Sequence, residues 1–184
     1  QTAELQKIGV NYAYSVSPAV SQARSVCVSG GDVYAAGSLQ SGLTKPLAVV
    51  WKNDKAHYTL SDGETPAGVN ALCLSGRTLY AAGHSGGAAA VWKDKELLYT
   101  LTDGTNDAWA YAVCVSDGTV YAAGYERQGD RIVAKVWENG TLKYTPGAPG
   151  ADSYAYSVFA ANGSLYTAGS EESGGALTAK IWKD

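Results

Sequence analysis

The sequence predicts an all-β, four-bladed β-propeller with four antiparallel strands per blade, and three observations carry that prediction. The motif Val/Leu-Tyr-x-Ala-Gly occurs four times, beginning at Val33, Leu79, Val120 and Leu165. An Ala-x-Val/Ile-Trp segment follows each one and ends at Trp51, Trp92, Trp137 and Trp182. Each of the first three tryptophans stands 28 residues before the next Val/Leu-Tyr motif, whereas the interval from motif to tryptophan runs 18, 13, 17 and 17. A unit of 41 to 46 residues holding four short apolar segments is the signature of a propeller blade, and closing the ring removes its sheet edges.

The strands of a unit follow in order. The innermost reads Ser25-Val26-Cys27-Val28 in the first unit, the second is the Val/Leu-Tyr-x-Ala-Gly segment and the third ends in the tryptophan. The outermost carries a tyrosine seven residues further on, at Tyr58, Tyr99 and Tyr144. Gly30-Gly31, Gly76-Arg77, Asp117-Gly118 and Asn162-Gly163 supply two-residue hairpin turns between the first two strands, as residues that tolerate positive φ should. Asn139-Gly140 is a turn of the same kind after the third tryptophan. Trp182 leaves no room for a fourth tyrosine, but counting 28 back from Val33 gives Leu5, and seven beyond it stands Tyr12. Residues 1–22 are therefore expected to supply the outer strand of the last blade, a Velcro closure. A single domain spans 1–184, with units at 23–68, 69–109, 110–154 and 155–184, the last completed by 1–22. A monomer is expected, with two chains sharing an eight-bladed ring as the alternative.

Composition narrows the function classes. The 184 residues carry a formal net charge of −3 and no Lys/Arg cluster, so neither nucleic acid nor an anionic membrane surface is an expected partner. No apolar run approaches the roughly 18 residues of a spanning helix. Methionine is absent, also at position 1, which is read as a mature chain that has lost a signal peptide.

The run Val-Tyr-Ala-Ala-Gly … Ala-Lys-Val-Trp-Glu-Asn-Gly-Thr-Leu, with Leu-Thr-Asp-Gly-Thr-Asn-Asp-Ala-Trp-Ala between units, resembles repeats of secreted or surface-associated bacterial propeller proteins, mostly without assigned function. The resemblance covers essentially the whole chain. It implies the propeller fold and a secreted, cell-surface or periplasmic location, and it implies no activity, since one fold hosts unrelated functions. Four-bladed hemopexin-like proteins share the blade count, but their disulfide-closed ring has no counterpart here, so their metal and haem binding are not carried over.

No cofactor and no metal is expected. Cys27, Cys73 and Cys114 occupy one position of three successive inner strands, with Phe159 in the fourth. Equivalent positions of different blades stand too far apart for a disulfide, and the close Cys-x-x-Cys spacing of a metal site is missing. They read as buried, slow-reacting thiols, and Phe159 as a core residue. His57 and His84 have no partner at catalytic or zinc spacing and read as surface residues. Glu171-Glu172 and Asp103/Asp107 are explained as turn and loop carboxylates, and the sequons at Asn139 and Asn162 as hairpin turns.

Subtracting every aromatic that recurs in the units leaves Tyr14, Trp109, Tyr111, Tyr125, Tyr154, Tyr156 and Phe159. Trp109 and Tyr154 hold a position occupied by Gln22 and Gly68 in the other units, and Tyr111 and Tyr156 one occupied by Arg24 and Asn70. These positions lie on the crossing into each inner strand, on the face where the second-to-third-strand hairpins also vary in length, and variable repeat faces often bind. With Asp107 and Asp152 alongside, rings for stacking and polar groups for hydroxyls would suit a sugar. The expected ligand-binding residues are therefore Trp109, Tyr111, Tyr154, Tyr156, Asp107, Asp152, Arg24, Asn70 and Gln22, with no catalytic residue. The expected function is a non-enzymatic extracytoplasmic binding module for a glycan or small polar ligand. A protein-interaction or structural domain using the Glu126–Arg131 and Ser38–Pro46 hairpins is the second expectation, and a glycan-active enzyme the third.

Overall fold

A computed structural model describes residues 20–42 and 44–184. Among the described residues, fifteen strands in chain order build four antiparallel sheets, the blades of a β-propeller. The first blade is β1 (Val20–Ser29), β2 (Asp32–Gln40), β3 (Leu47–Lys52) and β4 (Lys55–Thr59), each hydrogen-bonded to the next. The second is β5 (Ala67–Ser75), β6 (Thr78–Ser85), β7 (Ala88–Lys93) and β8 (Glu96–Thr100). The third comprises β9 (Ala108–Ser116), β10 (Thr119–Gln128), β11 (Arg131–Glu138) and β12 (Thr141–Tyr144). The fourth holds β13 (Ser153–Ala161), β14 (Ser164–Ser173) and β15 (Ala176–Lys183). Its expected outer strand falls largely on residues 1–19, outside the described residues, while Val20, Ser21 and Gln22 stand in β1. No helix in the described residues is long and apolar enough to cross a membrane.

The turns form as their residues dictate. Gly30 and Gly31 have φ of 60° and 87°, Asp117 and Gly118 50° and 79°, Asn162 and Gly163 52° and 74°, the paired positive angles that match the twist of a two-residue hairpin. The residue two after each tryptophan closes its blade in a repeated way. The amides of Asn53, Asp94, Asn139 and Asp184 donate to the carbonyls of Val33, Leu79, Val120 and Leu165. Their side-chain oxygens in turn accept the amides of the same four residues, at 3.0, 3.1, 3.0 and 2.6 Å. An Asn or Asp side chain is short enough to satisfy that strand-end amide, so the motif Trp-Lys/Glu-Asn/Asp is local hydrogen-bond chemistry rather than a binding signature.

Blades pack through small residues on one side and large ones on the other. Ala36, Ala48 and Val50 of the first blade meet Val69, Leu79, Ala81 and Trp92 of the second. Ala82, Ala89 and Val91 meet Val113, Val120, Ala122 and Trp137 in the same way. Ala123, Ala134 and Val136 then meet Ala155, Val158 and Leu165. Alanine lets neighbouring sheets approach closely while the tryptophan fills the wedge between them, and such packing is the main stabilising term. The cysteines sit in these seams, but they are half-buried rather than buried, and all three are free thiols. Burial raises the Cys27 and Cys114 thiols above their ordinary range. Phe159 departs from its expected core position and is 64% exposed, because no blade covers that side of the fourth sheet among the described residues.

Candidate functional site

One irregularity of the inner strands decides which side chains reach the candidate face. The pairing of β1 with β2 passes over Arg24, that of β5 with β6 passes over Asn70, β9 with β10 passes over Tyr111, and β13 with β14 passes over Tyr156. Each is the extra residue of a β-bulge, which bends its strand and re-aims an unpaired side chain. The glycine that closes every Val/Leu-Tyr-x-Ala-Gly motif lies against that bulge. A Cβ at Gly37, Gly83, Gly124 or Gly169 would run into the carbonyl oxygen of Gln22, Gly68, Trp109 or Tyr154. The recurring glycine is therefore required by close backbone approach, and the four bulges place four non-equivalent residues at one geometrically equivalent site.

Those residues form a continuous surface. Arg24 donates through Nε to Gln22 Oε1 at 2.9 Å and through a terminal nitrogen to Asn70 Oδ1 at 2.8 Å. Asn70 Nδ2 donates onward to the Ala110 carbonyl at 2.9 Å, next to the bulged Tyr111. The Tyr111 ring lies 5.5 Å from that of Tyr156 and 5.7 Å from that of Tyr125. Tyr154 and Tyr156 stack nearly parallel, 8° between planes with centroids 5.6 Å apart. Asp107 ties the rings down: Trp109 Nε1 donates to its Oδ1 at 3.1 Å, and the Tyr125 hydroxyl donates to its Oδ2 at 2.9 Å.

All the expected residues but one thus converge. Asp152 sits at the edge, where its Oδ1 accepts the Ile132 amide at 3.2 Å and faces Arg131 at 3.7 Å. The other carboxylates weighed from the sequence hold structure too. Glu171 accepts the Ala148 amide and pairs with Lys180, and the Ala148 hydrogen bond holds its pKa below the ordinary carboxylate range. Glu172 pairs with Arg131, and Asp103 accepts the hydroxyl and amide of Thr105. Among the described residues no group of three or more His, Cys, Asp or Glu is placed to hold a metal ion.

Two members of the cluster were missed by sequence reasoning. His84, expected at the surface, stacks on Trp109 with 10° between planes and centroids 4.2 Å apart. Tyr125 is buried at the centre of the tyrosines, and burial, followed by its hydrogen bond to Asp107, holds its hydroxyl far above the usual phenol range. The signal for both was present. Ser38, His84, Tyr125 and Ser170 are the residues directly after the four motif glycines, and they face Gln22, Gly68, Trp109 and Tyr154 across the strand pair. Gly68 leaves the room that His84 occupies, since a Cβ there would stand 3.0 Å from the imidazole Cε1.

His84 also covers one side of Trp109, and the Arg24 guanidinium lies 5.5 Å from the same ring's centroid. Trp109 is thereby fixed as a supporting wall, and the exposed ring is that of Tyr156. Burial, reinforced by the nearby Arg24 charge, lowers the His84 pKa to about 4, so the imidazole is neutral at pH 7. A histidine depressed in the folded state stabilises fully above its unfolded pKa of about 6.5 and loses that contribution as pH falls toward the folded value. Melting temperatures of the wild type and His84→Gln should therefore keep a constant gap above pH 7, with the wild type losing ground between pH 6.5 and pH 4. A gap independent of pH across that window would contradict the half-buried, neutral imidazole.

No protein-family model matches the sequence, and no curated protein does. Among solved structures, the chain is similar to an α-L-arabinofuranosidase from Clostridium thermocellum. Identity is 15% over 89% of this chain and 68% of that one, with a TM-score of 0.47. That finding corrects two expectations, that the chain is no enzyme and that it is a non-enzymatic binding module: the similar structure is that of a glycan-active enzyme.

Proposed function

We propose that the chain is a glycan-active protein that holds a sugar on the Tyr154–Tyr156 platform, with Tyr111 and Asp107 beside it. The observation that carries this reading is the parallel pair of rings, one of them, Tyr156, 48% exposed, bordered by Tyr111 and by Tyr125, whose hydroxyl is held by the exposed Asp107 carboxylate. Flat rings offer an apolar face to the C–H side of a pyranose or furanose, and the surrounding groups answer its hydroxyls. Asp107 uses one acceptor site on each oxygen and keeps further lone pairs for a ligand. Hydrolysis of a glycosidic bond ordinarily needs a pair of carboxyl groups, and Asp107 is the carboxylate the cluster supplies. An extracytoplasmic setting, as in the secreted bacterial propellers that the repeats resemble, goes with such a ligand and is part of the proposal.

The test is a panel of neutral oligosaccharides, read by calorimetry for binding and by release of reducing ends for turnover. Tyr156→Ala should weaken binding of the best oligosaccharide about tenfold or more, a loss of roughly 1.4 kcal/mol. Asp107→Asn should abolish release while the protein still melts cooperatively. An unchanged affinity in Tyr156→Ala would place the sugar elsewhere, and a panel with neither binding nor release would reject the reading.

A further inference from the structure

The arginines are unevenly placed on the molecule. Arg77 stands in a turn on the opposite face, whereas Arg24, Arg127 and Arg131 belong to the face that carries the tyrosines. Arg131 is neutralised there by Glu172 at 3.4 Å and Asp152 at 3.7 Å. Arg24 pairs with no carboxylate among the described residues.

Arg24 is nevertheless held in one orientation. Its Nε and one terminal nitrogen donate to Gln22 Oε1 and Asn70 Oδ1, and Asn70 is itself tied to the Ala110 carbonyl of the third blade. Both acceptors are neutral amides, so they aim the guanidinium without cancelling its charge, and they leave N–H donors of its planar fork unspent. That charge dominates its surroundings. At His84, and again at Tyr111, the effect of Arg24 exceeds the opposing effect of Asp107. This part of the face is therefore positive, in a chain whose formal net charge is −3.

A succession of rings links the cation to the platform. The Arg24 guanidinium lies 5.5 Å from the Trp109 centroid, Trp109 lies 6.2 Å from Tyr111, and Tyr111 lies 5.5 Å from Tyr156. We propose that the glycan is acidic, and that Arg24, aimed by Gln22 and Asn70, takes the carboxylate or sulfate of a sugar next to the one stacked on Tyr156. The guanidinium fork matches either oxyanion with paired N–H donors, which a lysine could not do. A neutral glycan would use the same platform and leave Arg24 to water. Arg24 is thus the residue that separates acidic from neutral glycans, and the inference rests on the sugar-binding reading above.

Calorimetry with two matched pairs of oligosaccharides tests it: an oligogalacturonide against its methyl ester, and a sulfated galactan oligosaccharide against its desulfated form. In at least one pair the acidic member should bind about tenfold tighter at low salt, the scale of hydrogen bonds to a charged group, and added salt should shrink that margin. A margin in the first pair assigns a carboxylate, and one in the second a sulfate. Arg24→Gln should bring the two members level, while Arg24→Lys, which keeps the charge without the fork, should retain part of the margin. Each variant is read as a ratio on one protein sample, so a partial loss of folding does not imitate the result. Neutral oligosaccharides bound as tightly as acidic ones, or a margin that Arg24→Gln leaves intact, would overturn the inference while the platform stands. Absence of binding by every oligosaccharide, neutral or acidic, would reject the sugar-binding reading and this inference with it.

Discussion

Gly124→Ala is expected to destabilise the protein by about 3 kcal/mol, in the upper range for overpacking, and to lower its melting temperature by roughly 6–12 °C. The backbone at this position is not in the left-handed region, so strain in φ is not the cause. The cause is the bulge opposite, whose Trp109 carbonyl oxygen occupies the place a Cβ would take, with the Ala110 Cα 2.8 Å away. Neither atom belongs to a flexible side chain, so relief requires β9 to shift against β10. Trp109 and Tyr111 flank that carbonyl, and the shift should also displace both rings and weaken the sugar binding proposed above. Gly30→Ala makes the control, since nothing stands within 4 Å of its missing Cβ and only its φ of +60° opposes substitution, a cost of about 1 kcal/mol. Thermal melts of the two variants giving equal losses would contradict the requirement for close approach.

Trp92→Ala should cost about 3–5 kcal/mol, the usual range for emptying a buried aromatic site. Its ring is 1% exposed and completes the seam between the first and second blades. The alanines around it, Ala36, Ala48, Ala81 and Ala90, have no side-chain length with which to collapse into the void. Trp182 holds the same repeat position in the fourth blade but is only half-buried, so Trp182→Ala should cost about 1–2 kcal/mol on partial burial. Denaturant titrations of both variants measure the difference, and equal midpoints would mean that the repeat positions do not share one packing role.

The blades were legible from the sequence because each is specified by local chemistry that repeats. Asn-Gly and Gly-Gly turns fix the hairpins, alternation fixes the faces of β2, β6, β10 and β14, and the constant interval from tryptophan to motif aligns the units. That alignment put Arg24, Asn70, Tyr111 and Tyr156 at one equivalent position, and the structure places all four at bulges. The bulges themselves were not legible. An extra residue present in every unit leaves the spacing constant and so gives no signal, although the motif glycine opposite it was its consequence. His84 was missed because its environment depends on the absence of a side chain at Gly68 and on Trp109 in the following blade. Phe159 was misplaced for a different reason: its repeat position predicts burial only where a further blade follows.

The central claim is that the inner-strand bulges convert a structural repeat into one non-repeating, ring-lined face that meets the ligand. A crystal structure of the chain with the tightest-binding oligosaccharide from the panel tests it most directly. The claim predicts a sugar ring lying over Tyr154 and Tyr156 with a hydroxyl on Asp107. A sugar seated on the opposite face, among the Gly30-Gly31 and Asn162-Gly163 turns, with the tyrosine platform empty, would contradict it.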